Sequence, residues 1–191
     1  MIAAIVLAAG LARRMGRQKL LLDLKGKPVV RWSVEAVLPH VDDCVVVTGH
    51  DDAGVRAALT GLGVRYAVNA HPDHGQGSSI AVGVAALAST TTAMLIVLGD
   101  QPLTPRDVVP ALLMAQRQSG KAIVAPSYRG TRGTPVLFGA AVFPELRTLT
   151  GDSGAREVVR MDPERVAIVE FDVAMPADVD TPEDLARLHV Q

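Results

Sequence analysis

Apolar positions come as short runs: Ala3 to Ala8, Cys44 to Thr48, Arg65 to Val68, Met94 to Leu98, Ala122 to Ala125 and Val166 to Val169. Each spans four to six residues, the length of a strand buried on both faces rather than of a helix. Between them apolar residues recur at helical spacing over Val29 to Leu38, Ala53 to Leu59, Ser79 to Leu87 and Arg106 to Gln118. This alternation predicts an α/β chain, three layers deep, with helices covering a buried and mostly parallel sheet. The order breaks at "APSYRGTRGTPVLFGAAVFPEL", where two strand-like pieces flank a Gly/Arg loop. An inserted or antiparallel strand is expected there.

Composition narrows the picture. A chain of 191 residues that is 49% hydrophobic is long and apolar enough for a proper core, and is expected to form one domain over 1–191. Aromatic residues supply only 3%, so Ala, Val, Leu and Ile must build that core. A net charge of −1 gives no support for nucleic-acid or membrane-surface partners, and any basic character is local. Cys44 is the single cysteine, so no disulfide forms within the chain, and its place in "CVVV" reads as a buried thiol in a reducing compartment. The apolar start has its positive charges after it rather than before, which argues against a secretory signal. No window approaches the roughly 18 apolar residues of a membrane span. A cytoplasmic location is expected.

In an open parallel sheet, ligands bind beyond the carboxyl ends of the strands. The unusual stretches collect there: "AAGLARRMGRQK" after the first run, "NAHPDHGQGSS" after the third, "GDQP" after the fourth, and "DVDTPED" shortly after the last. Several loops with such chemistry point to one shared site.

The first stretch sets Arg13, Arg14, Arg17 and Lys19 around Gly10 and Gly16. It is not a P-loop, because Arg17 and Gln18 follow Gly16 where Lys and Ser or Thr are needed, and it lacks the glycine triplet of a dinucleotide site. It is either a solvated basic turn or a glycine loop whose backbone N–H groups and cations meet a phosphate. Asp100, just past an apolar run, suits Mg²⁺, although Asp, Gln and Pro are also ordinary turn formers. Thr181, Pro182, Glu183 and Asp184 read as a capped helix start, which leaves Asp178 and Asp180 unexplained by capping. His71 and His74 lack a completing Cys or His pair for zinc. Their loop reads instead as a ligand loop in which Gly75 and Gly77 allow close approach, with Ser78 or Ser79 capping the next helix. Asp152 and Ser153 mark another helix start, and no G-x-S-x-G elbow supports a serine hydrolase.

Taken together, "LAAGLARRMGRQKLLLDLKGKPVV", "GQGSSIAVG", "GDQPLT", "RGTPVLF", "LTGDSGAR" and "DVDTPEDL" resemble, in order, the blocks of the molybdenum cofactor cytidylyltransferase group among the MobA-like nucleotidyltransferases. The resemblance covers nearly the whole chain. It implies a three-layer Rossmann-like nucleotidyltransferase fold, mostly parallel with one antiparallel strand. It implies that Leu7, Ala8, Ala9 and Gly10 pass the nucleotide, that Arg14 and Lys19 hold the triphosphate, and that Gly77 with Ser78 or Ser79 borders base and ribose. Asp100 is the implied Mg²⁺ ligand, with Asp180 as the second acid. The implied substrates are an NTP and a molybdopterin-type cofactor, with an apoenzyme as possible receiver of the product. Ala9 matches the L-A-A-G of cytidylyltransferases rather than the L-A-G-G of guanylyltransferases, which favours CTP. Gln76 and Asp23 depart from the group, which more often has Met and Pro there. The competing readings are GTP or another phosphorylated acceptor in the same chemistry, a non-catalytic cofactor carrier, and a nicotinamide oxidoreductase, the last disfavoured by the missing fingerprint.

Overall fold

A computed structural model describes residues 1–10, 18–50, 52–152 and 154–190. The chain runs through β1 (Ile2–Ala8), a small antiparallel pair β2 (Asp23–Leu24) and β3 (Lys27–Pro28), α1 (Val29–Val37), β4 (Asp43–Thr48), α2 (Ala53–Ala58) and β5 (Arg65–Val68). Next come α3 (Gln76–Ala85), β6 (Ala93–Leu98), α4 (Val108–Ser119), β7 (Ile123–Tyr128), β8 (Thr131–Arg132) and β9 (Val136–Gly139). The last elements are α5 (Phe143–Arg147), α6 (Ala155–Met161), β10 (Val166–Phe171) and α7 (Pro182–His189).

The six apolar runs are β1, β4, β5, β6, β7 and β10, the six strands of the main sheet that share one direction; the sheet's order is β10-β7-β9-β6-β1-β4-β5. β1 lies at its centre, parallel to β4 on one side and to β6 on the other, with Ala8 opposite Thr48 and Leu7 opposite Leu98. These three strands therefore end together. The irregular stretch supplies β9, antiparallel to both β6 and β7, and β8 adds a second, two-residue antiparallel pairing with β7.

Side chains alternate across β1 and feed two cores. Ala4, Val6 and Ala8 pack with Val30, Val34, Val108 and Leu112 of α1 and α4. Ala3 and Ile5 pack with Ile80, Val84, Phe143, Leu146 and Val158 of α3, α5 and α6 on the other face. Small residues permit close layers: a Cβ on Gly83 of α3 would stand 2.5 Å from Ile5 Cγ2. A third cluster joins Leu24, Val29, Val179 and Leu188, docking α7 on the β2–β3 pair. Among the described residues, no helix is long and apolar enough to cross a membrane.

Local details differ from the pattern-based expectation. α3 starts at Gln76 rather than Ser79, with Gly75 at its N-cap and no side-chain cap. Ser78 and Ser79 lie inside the first turn and do not cap it. Likewise α6 follows Gly154 rather than Asp152, and Ser153 lies outside the described residues. By contrast Thr181 and Asp184 form the full reciprocal capping box with Pro182 in the first turn.

Cys44 is 1% exposed. Burial, with the charge of Asp43 adding to it, pushes its thiol up to about 12. Because the thiolate is the reactive form, a disulfide reagent at pH 8 is expected to label less than about one-tenth of the folded chain and nearly all of the denatured chain. Rapid labelling of the folded protein would contradict this packing.

Candidate active site

The carboxyl end of the sheet is built by close backbone approach. Gly99 N donates to Leu7 O at 3.0 Å, and a Cβ on Gly99 would stand 2.7 Å from that oxygen. Glycine lets the turn after β6 lie against the end of β1, which sets Asp100 beside the Ala9–Gly10 turn. Val179 N donates to Asp100 O at 3.0 Å and brings the segment before α7 to the same place. Val179 is buried, which anchors its chain neighbours Asp178 and Asp180 at this end of the sheet.

The two acids meet different partners. Asp178 Oδ1 accepts from Gln101 Nε2 at 2.8 Å. Gln101 is itself buried and takes the Thr134 hydroxyl on its carbonyl oxygen. Asp180 faces Lys19, which projects from a short 3-10 turn (Lys19–Leu21) anchored by buried Leu20. Lys19 Nζ stands 2.6 Å from Asp100 Oδ2 and 2.7 Å from Asp180 Oδ1, so one ammonium bridges carboxylates 81 and 161 residues away. Burial lowers the Lys19 pKa, but the hydrogen bonds and charges of Asp100 and then Asp180 outweigh it and hold the ammonium above its ordinary value. Asp178 is raised by burial first and by the charge of Asp100 next. Asp184 is occupied by the helix cap, as the spacing implied.

Opposite the acids, α3 begins where three loops converge. Buried Asn69 donates to Ser78 Oγ at 2.8 Å and Ser79 Oγ at 2.9 Å, and accepts from His71 N at 2.9 Å. The Ser78 hydroxyl in turn donates to Gly75 O at 2.8 Å. Gly75 has φ 85° and ψ 179°, a region that glycine alone occupies readily. Its Cβ would sit 2.3 Å from Gly151 O, whose acceptance from Gly77 N at 2.9 Å ties the loop to the segment before α6. Gln76 reaches Gly154: a Cβ there would be 2.3 Å from Gln76 Oε1.

One cleft is lined by Leu7, Ala9, Gly10, Leu98 and Asp100 on one side and by Pro72, Gly75, Gln76 and Ser79 on the other. The geometry thus brings Leu7, Ala9, Gly10, Ser79, Lys19, Asp100 and Asp180 together at one end of the sheet. Ala8 packs into the core beneath, Gly77 is buried behind the loop, and Ser78 is engaged in holding it. Arg14, with Arg13 and Arg17, lies outside the described residues. At the rim, exposed His71, Asp73 and His74 gather with their ligand atoms within 4.8 Å of one another, the two rings stacked at 4.9 Å. Sequence reasoning assigned no role to Asn69 or Gln101. Each was present in a quoted stretch, as the first residue of "NAHPDHGQGSS" and the third of "GDQP", but their partners are set by tertiary contacts.

The donor set suits a hard divalent cation. Two carboxylate oxygens already converge on one positive centre, and Mg²⁺ is commonly held by one or two carboxylates with phosphate oxygens completing its shell. A glycine-rich cleft beside such a pair is suited to a nucleoside triphosphate.

Comparison with known proteins agrees with this geometry. The family model described as "MobA-like NTP transferase domain" matches residues 4–167. The chain belongs to the MobA-like NTP transferase family. The chain is 31% identical to purine catabolism protein PucB of Bacillus subtilis (strain 168), over 94% of this chain and 92% of PucB. It is 32% identical to a molybdenum cofactor guanylyltransferase of Rhodobacter capsulatus, over 97% of this chain and 94% of that one. The crystal structure of Rv0371c from Mycobacterium tuberculosis H37Rv superposes with a TM-score of 0.88 at 28% identity, covering 100% of this chain and 98% of that one. A second structure of Rv0371c is a complex with manganese. The activity class is therefore nucleotidyl transfer.

Gly75→Ala is expected to combine backbone strain with the clash at Gly151 and to destabilise the fold by about 2–5 kcal/mol. Chemical denaturation measures this. A change below about 0.5 kcal/mol, the range of neutral surface substitutions, would contradict the packing of the two loops.

Proposed function

We propose that this MobA-like transferase joins a nucleoside monophosphate, from CTP by preference, to the terminal phosphate of a molybdopterin-type cofactor, with Mg²⁺ as its metal. The observation that carries the reading is the pair Asp100 and Asp180 converging on one cation at the mouth of a glycine-lined cleft. Residues 1–191 act as one nucleotidyltransferase domain in this account. The lone buried thiol supports a reducing, cytoplasmic setting.

In the reaction, a phosphate oxygen of the acceptor attacks the α-phosphorus in line, forming a P–O bond as the bond to the β-phosphate breaks. Pyrophosphate leaves with the bonding electrons. Such a step asks little of the protein beyond positioning and charge neutralisation. Leu7, Ala9 and Gly10 guide the nucleotide along the end of β1. Gly75, Gln76 and Ser79 close the base side, with Asn69 fixing Ser79. Ala8, Gly77 and Ser78 support these positions from behind. Lys19, with Arg14, offers positive charge to the triphosphate. Asp100 and Asp180 would hold the metal, and Gln101 orients Asp178 beside them. When bound, the divalent ion neutralises the triphosphate and polarises its phosphoryl oxygens. The manganese complex of Rv0371c supports a divalent metal in this fold.

CTP is favoured in this reading by Ala9, a residue of the cleft wall, whose methyl group, absent from a glycine, would narrow the base pocket. GTP is the second reading, because relatives at 30–32% identity carry the name molybdenum cofactor guanylyltransferase. PucB, named for purine catabolism, keeps a different phosphorylated acceptor in view. The product would pass to an apoenzyme.

Pyrophosphate release with Mg²⁺ and molybdopterin-type cofactor, measured with CTP, GTP and ATP, tests the proposal. Release with CTP is expected to exceed release with GTP, and Ala9→Gly is expected to shift the ratio toward GTP by about tenfold, the scale of one methyl group in a pocket. Asp100→Asn is expected to lower the rate by about a hundredfold with the fold intact. Release with GTP alone would discard CTP, and Asp100→Asn activity within about threefold of the parent, about 0.7 kcal/mol, would remove Asp100 from the mechanism.

A further inference from the structure

We infer that Lys19 is the metal's stand-in: its ammonium holds the Asp100–Asp180 pair together before the divalent ion arrives, and must leave both carboxylates when the ion binds. The inference rests on the metal position proposed above and adds an exchange to it. Its basis is that Asp100 Oδ2 and Asp180 Oδ1 each lie within 2.7 Å of a single nitrogen. Two carboxylates brought together without a cation would repel, and the neighbouring carboxylate of Asp178 adds to that field. Lys19 relieves the repulsion.

A divalent ion that takes these two oxygen atoms cannot share them with the ammonium. The movement required is a side-chain one. The Lys19 backbone is fixed by buried Leu20, while the ammonium rides on a flexible four-carbon stem. Released, this cation is next to the cleft that receives the triphosphate. One charge therefore serves two states, closing the acid pair in the free protein and meeting phosphate in the loaded one. Lys19 accordingly competes with the metal when no nucleotide is present.

The test is Mn²⁺ binding to the full chain without nucleotide, followed by electron paramagnetic resonance. Lys19→Met is expected to bind Mn²⁺ at least about fivefold more tightly than the parent, because the competing cation is gone. Lys121→Met removes the same charge at the opposite, amino end of β7, where Lys121 bonds Glu164 O. It is expected to change affinity by less than about twofold, since screening confines distant charges. Equal or weaker binding by Lys19→Met overturns the exchange while leaving the metal reading intact, provided Asp100→Asn weakens Mn²⁺ binding in the parent. If Asp100→Asn leaves binding unchanged, or the parent binds no Mn²⁺, the metal reading falls and the exchange falls with it. Should Lys19→Met fail to fold, ¹⁵N-lysine ammonium spectra of the parent decide. The Lys19 resonance is expected to shift or exchange-broaden at saturating Mg²⁺, and an unchanged resonance overturns the inference.

Discussion

The active end of this molecule depends on how closely β6 can approach β1. Leu7 O accepts from Gly99 N where any larger residue would place a Cβ 2.7 Å from that oxygen. That contact puts Asp100 against the Ala9–Gly10 turn, and the Asp100 carbonyl in turn fixes Val179. Asp180 and the capped helix α7 follow from it. The parallel sheet supplies a common edge; the glycine turns that edge into a site.

Charge completes what the backbone begins. Three carboxylates at Asp100, Asp178 and Asp180 are gathered at one end of the sheet, and the structure accommodates them by two routes. Asp178 lies beside the buried Gln101 amide, Asp100 and Asp180 share the Lys19 ammonium, and Asp184 nearby is withdrawn into the α7 cap. Acids held this way are concentrated around one cation position, as metal-assisted phosphoryl chemistry requires. The opposing wall is apolar or neutral, formed by Pro72, Gly75, Gln76 and Ser79, and in the proposed reading it is the side that takes base and ribose.

Much of the fold was legible in the chain because Val-rich runs flanked by helical spacing leave few alternatives to a covered parallel sheet. The antiparallel β9 was legible too, from the break in that rhythm around "RGTRGTP". The start of α3 was misread, since serines normally cap helices, whereas here Asn69 recruits Ser78 and Ser79 within the first turn and Gly75 takes the cap position. That choice depends on Gly151 lying against the loop, a contact 76 residues distant that no local pattern encodes. Lys19, Asp100 and Asp180 were candidates from the residues themselves and were given their roles by the resemblance, but their meeting at one nitrogen was not legible, because spacing does not report how distant loops converge.

The central claim is that the Asp100–Asp180 pair and the glycine-lined cleft together form the nucleotidyl-transfer centre. A crystal structure with Mn²⁺ and a non-hydrolysable CTP analogue, read by anomalous scattering, tests it most directly. The account predicts a manganese peak within bonding distance of both carboxylates, with the triphosphate along Gly10. An ordered nucleotide elsewhere, or a manganese peak found only on the rim cluster of His71, Asp73 and His74, would contradict it.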